Sequence, residues 1–376
     1  MTIWSFVLGP PAPEGGHQWH LTNAKARRAI FRLTRPSEAS FTIDGRDPMA
    51  AKIIELETDL HALRHRPTGG AEELFRGRIG PTGDSLDAGG HRTDVTALDY
   101  RSVLSRRILW GDSQLVWTNT EQAEIAMGLV NQTQVRPGGS LGIVAGDGSS
   151  TGVARDRTEY QAGDSIGDRV QELSEVIDGF DWDITPDGAA ALKLDIWHPQ
   201  RGIDRGVVLE YGGLVASVQR QVNPQDYANA VRVSGQIPEG GDTAPTPVER
   251  TASDITTRPE GRWDKAFGTS IVTATSLAER GDWQLDQAQV VQPSYTVKLK
   301  AGAWQGPDHI WLGDPTRLVI MSGRLRVDNV LRVQEVDISI TEAGDEEVSL
   351  TIGAPKPDYR RRANDVERRL RELERR

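Results

Sequence analysis

The 376-residue chain contains no cysteine, and this absence excludes several classes of site at once. Without thiols there are no disulfide scaffolds, thiolate nucleophiles, cysteine zinc sites or cysteine-ligated iron–sulfur clusters. Lysine is also scarce, because only seven of the 44 basic residues are lysine and the others are arginine. Packing, hydrogen bonds and ion pairs therefore have to hold this fold together.

Long hydrophobic runs are missing as well. No segment approaches the run of about 18 apolar residues that a membrane span needs, and residues 1–4 lack the features of a signal peptide. We therefore expect no stable membrane association and no export by the general pathway. The net charge of −10 disfavours general binding to duplex DNA, since neutralising phosphates requires a basic face.

The chain nevertheless has the material for a folded protein. Ten Trp, six Phe and six Tyr supply bulky apolar surface. At about 150 residues per domain, the length predicts two to four domains.

The first hundred residues show β-strand patterns. Short β-rich runs occur at 29–33 and 40–43, followed by turn residues at 44–48. Two further runs flank a polar, glycine-rich stretch at 81–90, which we interpret as a turn. The region up to about residue 107 is therefore predicted to be mostly β.

The next hundred residues mix helix and strand. Asn119 followed by Gln122, and Ser165 followed by Asp168, have the spacing of helix N-caps, and each pair precedes apolar residues at helical intervals. Apolar residues alternate with other residues before the turn sequence Pro186-Asp187-Gly188 and again after it. This pattern predicts a β-hairpin over 180–196.

The C-terminal half returns to β patterns around an irregular stretch. Residues 236–262 show no periodicity and are interpreted as a loop or insert, followed by a helix near 270–286. A change of alternation near Glu335 predicts a β-bulge. The predicted strands are 207–211, 214–218, 227–235, 295–299, 317–320, 330–340 and 348–352.

The last twenty residues show a heptad pattern. The apolar positions are spaced four, three, four and three, and an arginine and a glutamate flank the last two leucines, an order associated with parallel trimeric coiled coils. A solvated helix whose apolar stripe packs on its own domain is the alternative. The predicted oligomerisation residues are Tyr359, Ala363, Val366, Leu370, Leu373, Arg369 and Glu374.

No motif predicts catalysis or a bound cofactor. His61 and His65 have the i,i+4 spacing of a helical metal site but no glutamate between them, and His17 and His20 lie beside loop residues. The glycines at 138–142 and 146–148 lack the lysine of a phosphate loop.

Two further sets of residues, a pair of aspartates and a group of tryptophans, are candidates for functional sites. Asp181 and Asp183 share a strand face, as a glycosidase carboxylate pair would, but so does any solvated β pair. Packing is the default role for tryptophan, and stacking on sugars is the alternative. The tryptophans considered are Trp182, Trp197, Trp263, Trp304 and Trp311. We predict no catalytic, cofactor or metal site.

Taken together, ordered runs between about residues 70 and 355 resemble the tail hub (minor tail) proteins of long-tailed phages, including the hub part of tail-associated lysins. The runs that carry this resemblance are 74–79 (LFRGRI), 93–107 (TDVTALDYRSVLSRR), 155–160 (RDRTEY), 179–184 (GFDWDI), 211–212 (YG), 227–235 (YANAVRVSG), 313–315 (GDP), 335–338 (EVDI) and 350–353 (LTIG). None of them is catalytic, so no catalytic residue carries over.

The resemblance implies a mainly β (α+β) fold with two related β-barrel domains, the second discontinuous, and smaller α+β domains. The expected divisions are a first barrel at 1–107, an α+β domain at 108–206, a second barrel at 207–235 and 285–355, an inserted domain or loop at 236–284, and a C-terminal coiled-coil helix at 356–376.

The resemblance also implies a function. The chain would be a structural, non-enzymatic homotrimer at the virion tail tip, assembled in the host cytoplasm, with DNA passing only in transit. Its partners would be the distal tail protein, the tape measure protein, and other minor tail or receptor-binding proteins. The alternatives are a tail-borne cell-wall polysaccharide hydrolase and a carbohydrate-binding receptor module. Since the heptads are followed by no lytic or fibre domain, wall degradation is expected to come from another tail protein.

Overall fold

The computed structural model describes most of the chain as far as residue 354. The described residues are 3–66, 69–111, 115–146, 150–176, 178–188, 190–222, 224–237, 242–269, 271, 273–289, 293–342 and 344–354. The heptad residues Tyr359 to Glu374 lie outside this set, so the coiled coil stays a sequence prediction.

Strands dominate the described residues, which agrees with the mainly β prediction. The strands are β1 (Ile3–Gly9), β2 (Trp19–His20), β3 (Lys25–Arg32), β4 (Glu38–Asp44), β5 (Asp59–His65), β6 (Ala71–Asp87), β7 (Gly90–Asp99), β8 (Leu115–Glu121), β9 (Ile143–Ala145), β10 (Ala154–Tyr160), β11 (Asp181–Asp187), β12 (Ala191–Trp197), β13 (Val208–Glu210), β14 (Val215–Gln221), β15 (Ala230–Ser234), β16 (Val248–Thr251), β17 (Asp264–Gly268), β18 (Ser294–Leu299), β19 (Pro315–Ser322), β20 (Leu325–Ile340) and β21 (Glu346–Gly353).

Helices are few and short. No helix within the described ranges is both long and apolar enough to cross a membrane. The helices are α1 (Tyr100–Leu104), α2 (Gln122–Gln134), α3 (Ile166–Ser174) and α4 (Ala274–Ala288). Two 3₁₀ turns occur at Ala50–Lys52 and Pro224–Asp226.

One large sheet joins the two ends of the described chain. Its strand order is β14-β18-β21-β20-β3-β4-β7-β6-β5-β1-β2, with β19 pairing with β20 and β13 pairing with β19. The first half of β20 pairs with β19, and its second half pairs with both β21 and β3. We call β1–β7 the N-terminal β unit and β13, β14 and β18–β21 the C-terminal β unit.

The two β units share one hydrophobic core rather than having one each. Phe6, Phe31 and Phe41 of the N-terminal β unit belong to the same buried cluster as Val297 and Ile338 of the C-terminal β unit. The sheet path does not return to its first strand in the part of the chain that the structure describes. The two barrels expected from the resemblance therefore remain a prediction.

Two smaller units complete the fold. The middle unit contains α1–α3 and β8–β12 and has its own core, centred on residues such as Leu129, Val170 and Trp182. The inserted unit is a three-stranded sheet, β16-β15-β17, packed against α4. Strand β15 lies within the range expected for the second barrel, yet it pairs with β16 and β17 of the inserted unit.

The local predictions that rest on alternation are confirmed. β11 and β12 form the expected hairpin, in which Trp182 lies opposite Ile196 and Ile184 opposite Leu194. The expected bulge is present, because the register between β20 and β21 shifts between Val333 and Glu335. Hydrophobic residues on one face of a strand have to remain on the buried side, so a change of alternation reveals an extra residue.

Two stretches without a strand pattern in the sequence contain strands. The stretch 81–90 was expected to be a turn, but β6 extends to Asp87 and pairs with β7 through Leu86 opposite His91. The stretch 236–262 is predicted to be a loop or insert; it contains β16, which belongs to the inserted unit. Both segments are largely exposed, so they need no apolar alternation, and their backbone hydrogen bonds are supplied by a neighbouring strand.

Of the two predicted helix N-caps, one is confirmed and the other is wrong. Ser165 Oγ accepts a hydrogen bond from the Asp168 amide at 3.2 Å, which confirms this cap. For α2 the predicted cap is wrong, because Glu121 is the N-cap and its carboxylate accepts from the amides of Ala123 and Glu124. Asn119 instead adopts a left-handed conformation and donates its amide hydrogen to Asp156.

We expect Ile338→Ala to lower the free energy of unfolding by about 2–5 kcal/mol, the usual cost of emptying a core site of this size. Ile338 is fully buried and lies between Ala29 of β3 and Val348 of β21, so both β units should lose stability together. Urea unfolding followed by tryptophan fluorescence measures the change.

Leu86→Ala on β6 of the same sheet is the control, because Leu86 is 78% exposed and its replacement should change stability by no more than about 0.5 kcal/mol. Equal effects of the two substitutions would contradict a single core beneath the joined sheet.

Candidate functional site

The middle unit is attached to both β units by a group of buried and partly buried arginines and aspartates. We call this group the junction, and it consists of Asp99, Arg101, Asp181, Asp183, Arg201, Asp314 and Arg332. Four of its members, Asp99, Arg101, Asp183 and Asp314, are less than a tenth exposed. A buried charge is costly unless it is paired and hydrogen-bonded, so these residues constrain where the units can sit.

Arg101 is at the centre of the junction. Arg101 lies in α1, and its guanidinium donates to the backbone carbonyl of Arg32 at the end of β3, at 2.7 Å, and to that of Leu33 just after it, at 2.9 Å. Its Nε lies 3.4 Å from carboxylate oxygens of both Asp99 and Asp183. The planar guanidinium has five donors, which lets one side chain connect α1, β11 and the β3–β4 turn.

Burial raises the pKa of Asp99, and the positive charge of Arg101 opposes this effect. The Asp99 carboxylate also accepts a hydrogen bond from the Ser37 amide at 2.6 Å. Asp99 and Arg101 both fall in the run 93–107 that resembles the hub family. In this structure they serve as connectors between units.

Asp181 and Asp183, considered above as a catalytic pair, are both held by arginines. Arg201 Nη1 lies 2.8 Å from Asp183 Oδ2, whereas Arg101 contacts the other carboxylate oxygen, Oδ1. Asp181 pairs with Arg332 and accepts the Arg201 amide hydrogen at 2.6 Å. The geometry of these carboxylates is that of a structural ion-pair network, and it does not support the glycosidase interpretation.

Two glycines let the junction close on the C-terminal β unit. Gly202 and Gly313 both have positive φ angles, and a Cβ on Gly202 would lie 2.1 Å from the Gly313 carbonyl oxygen. Asp314 follows at once and accepts hydrogen bonds from the amides of Ile203 at 2.9 Å and Trp311 at 2.8 Å. The run 313–315 therefore brings the 201–206 linker against the start of β19.

The inserted unit is attached by a second set of ion pairs. Arg155 and Arg157 of β10 each lie 3.1 Å from a carboxylate oxygen of Glu279 in α4. Arg280, the next residue, pairs with Glu175 at 2.8 Å after α3. The run 155–160 that resembles the hub family thus carries the contact between the middle and inserted units.

Most of the tryptophans considered for sugar binding lie in packed positions. Trp304 is 4% exposed, and its ring stacks on Trp311 at a centroid distance of 6.3 Å while Arg64 covers it at 4.7 Å. Trp182 is 5% exposed and lies in the middle core, whereas Trp263 is 54% exposed. The two rings stack on each other against the core, which agrees with the packing role and does not support the alternative of a glycan site at Trp304 and Trp311.

The glycine run 138–142 has a structural role. Gly139 follows α2, where a Cβ would lie 2.0 Å from the Thr133 carbonyl oxygen, and Gly142 has a positive φ beside Pro13. These glycines permit a tight exit from the helix, and nothing in their geometry forms a phosphate cradle. Asp147 and Gly148 lie outside the described residues.

The histidines are arranged differently from either predicted pair. His61 and His65 lie on strand β5 rather than a helix, and His65 hydrogen-bonds to Ser5. His61 is fully buried and meets His17 of the β1–β2 loop, with ring centroids 4.7 Å apart. His20 is exposed on β2. The pairing of His17 with His61 is missed by sequence spacing because it depends on a loop folding back over a strand.

A glutamate joins these two histidines. Glu73 of β6 lies 2.7 Å from His61 Nδ1 and 3.2 Å from His17 Nε2, and Arg76 holds both of its oxygens at 2.8 and 2.9 Å. Burial opposes ionisation, but the hydrogen bonds from His61 and Arg76 outweigh it and lower the pKa of Glu73 to about 2.

Exposed apolar side chains gather on one face of the β13–β19–β20 ribbon. Val208 lies opposite Arg317, which lies opposite Val330, so the three share a row across the ribbon. Val208 is 41% and Val330 64% exposed, and Met321 further along β19 is 66% exposed. Apolar side chains clustered on a sheet face are typical of protein–protein contact surfaces.

Asp183→Asn should lower the free energy of unfolding by about 3 kcal/mol, because it leaves two buried arginines short of their counter-charge. It should also expose the 198–206 linker to protease. Urea denaturation and limited proteolysis measure the two effects.

Asp187→Asn is the matched control on the same strand, since Asp187 is 44% exposed and pairs only at the surface with Lys193. It should change stability by no more than about 0.5 kcal/mol. If Asp183→Asn behaved like this control, the junction would not hold the units together.

Comparison with known proteins shows similarity in structure alone. No protein-family model matches the sequence, and no curated protein matches it. Three solved structures align over nearly the whole chain. The tail protein from Neisseria meningitidis MC58 is 11% identical, with a TM-score of 0.60 over 93% of this chain and 96% of that chain.

The other two structures are also tail proteins. The 43 kDa tail protein of prophage MuSo2 from Shewanella oneidensis is 13% identical, with a TM-score of 0.59 over 93% of this chain and 97% of that chain. Prophage tail protein gp18 from Listeria monocytogenes EGD-e is 10% identical, with a TM-score of 0.54 over 98% and 99%. The resemblance noted in the sequence is therefore confirmed at the level of the fold: this chain has the fold of phage tail proteins.

Proposed function

We propose that this chain is a structural tail hub, a homotrimer that joins the tail tube and the distal tail protein to the tail tip and lines the DNA channel. The observation that carries the proposal is the alignment of almost the entire chain, including all four units, with phage tail proteins. Structural similarity over nearly the whole length favours a shared overall architecture rather than similarity in a single domain.

The joined sheet supports a ring assembly. β20 and β3 place the two β units side by side through six paired positions, from Glu335 opposite Arg32 to Ile340 opposite Arg27. Three such chains would present six β units, the number needed to match a sixfold tube. In a cyclic assembly each copy contributes two different surfaces, so the exposed apolar face of the β13–β19–β20 ribbon would meet a different surface of the next copy.

The charge supports the proposed channel. A net charge of −10 keeps phosphates from adhering, so DNA would move past the ring in transit without binding to it. The proposed partners are the distal tail protein, the tape measure protein, and other minor tail or receptor-binding proteins. The chain would be assembled in the host cytoplasm, where the absence of cysteine is no handicap, and would function in the virion tail tip.

The heptads would form a parallel trimeric coiled coil below the ring, which we call the clasp. Light scattering should give the full chain a mass near three times its 41.3 kDa, and truncation after Pro357 should weaken or abolish the trimer. The double variant Leu370→Asp with Leu373→Asp should act like the truncation, because charge at a and d positions destroys the apolar seam.

Arg371→Gln is the control, since Arg371 lies outside the seam and its replacement should leave the mass unchanged. A trimer that survives both changes would place the threefold contact in the β units and refute the clasp while keeping the hub. A monomer for every form at all concentrations tested would argue against the proposed trimer.

A further inference from the structure

A short loop before β5 exposes apolar and acidic side chains in alternation. We call residues 54–57 the acidic loop; its sequence is Ile-Glu-Leu-Glu, and all four side chains are exposed. Ile54 is 46% and Leu56 55% exposed. Two large aliphatic side chains within four residues, bordered by negative charge, are typical of a protein–protein contact surface.

The acidic loop contains a strained residue. Leu56 has a φ angle of 67°, in the left-handed region that bulky residues rarely adopt. Its amide donates to the Ile79 carbonyl at 2.9 Å, and Glu55 accepts a hydrogen bond from Thr82, so two contacts with β6 fix the loop. Strained residues of this kind are concentrated at functional sites. Here the strain holds an apolar side chain in solvent, where it adds nothing to the core.

The exposed face of the β13–β19–β20 ribbon carries the opposite charge. Arg317 and Asp328 neutralise each other through a two-pronged ion pair at 2.7 and 2.8 Å. Arg324 and Arg326 add exposed positive charge at the tip of the ribbon, and they outnumber the carboxylate of Glu210 on this face. The apolar row of the ribbon is therefore bordered by net positive charge.

The acidic loop and the ribbon are too far apart to meet within one chain. Ile79, beside the loop, belongs to a row of paired residues that crosses β7, β4 and β3 to Ile338 of β20. Val330 of the ribbon lies eight residues earlier on β20, about 26 Å away along the strand. Two separate surfaces of complementary character are what a head-to-tail contact between copies requires, and such contacts can close into a ring.

We propose that the acidic loop of one copy docks on the β13–β19–β20 ribbon of the next copy. The aliphatic side chains of the loop would cover the apolar row of the ribbon, and Glu57 would lie near Arg324 and Arg326. Opposite charges would orient the two copies and disfavour pairing between like surfaces. This inference rests on the proposed trimer and names the contact between its copies.

Cross-linking between introduced cysteines tests the contact, because the chain has no cysteine of its own. With a short bismaleimide, full-length Glu57→Cys mixed with Ser322→Cys, at the end of β19, should give covalent dimers. The double variant should give covalent trimers and nothing larger, since a closed ring has three such contacts.

The matched control is Glu57→Cys mixed with Val135→Cys. Val135 is 80% exposed but lies at the end of α2 in the middle unit, away from the ribbon. Its cross-linking yield should be at least about tenfold lower, because docking raises the effective concentration of one cysteine only near the other surface.

Leu56→Asn separates binding from folding. Asparagine adopts the left-handed conformation more readily than leucine, so the urea midpoint of the diluted chain should not fall. Loss of the apolar side chain should nevertheless lower the cross-linking yield between Glu57→Cys and Ser322→Cys at least about fivefold. An unchanged yield would overturn the proposal.

The mass of the wild-type chain distinguishes failure of this contact from failure of the hub. A trimer in which the control pair cross-links as well as the loop–ribbon pair would overturn the contact and leave the hub intact. A chain that is monomeric at every concentration tested would overturn both.

Discussion

The pairing of β20 with β3 is the contact on which the rest of the architecture depends. It joins Ile338 to Ala29 and Val336 to Phe31, residues about three hundred positions apart, and it places their side chains in one core. Without this ladder each β unit would expose an apolar sheet face. With it, apolar residues of both units form one core that stabilises both of them. The long strand β20 pairs with β19, β21 and β3 along its length.

Arginine chemistry connects the remaining units to that sheet. The chain has few lysines, and its buried cations in the junction are arginines, whose rigid forks satisfy several carbonyls and carboxylates at once. Such pairs add little stability compared with apolar packing, but breaking one is costly. The junction therefore acts mainly to specify where the middle unit sits.

The runs that resemble the hub family also contain residues that connect the units. Asp99, Arg101, Asp183 and Asp314 all connect segments of different units. The resemblance thus reflects residues that maintain an architecture. The contact of His17 with His61 and Glu73 lies outside those runs.

Local periodicity in the sequence determined the β11–β12 hairpin, the α3 cap at Ser165 and the bulge before Glu335, because alternation and capping involve residues close along the chain. Only the tertiary structure decided that β6 continues through residues 81–87, that Arg101 bridges three segments, and that His17 meets His61. Those outcomes depend on partners far apart in sequence, and a hydrogen bond or ion pair between distant segments leaves no periodic trace in either of them.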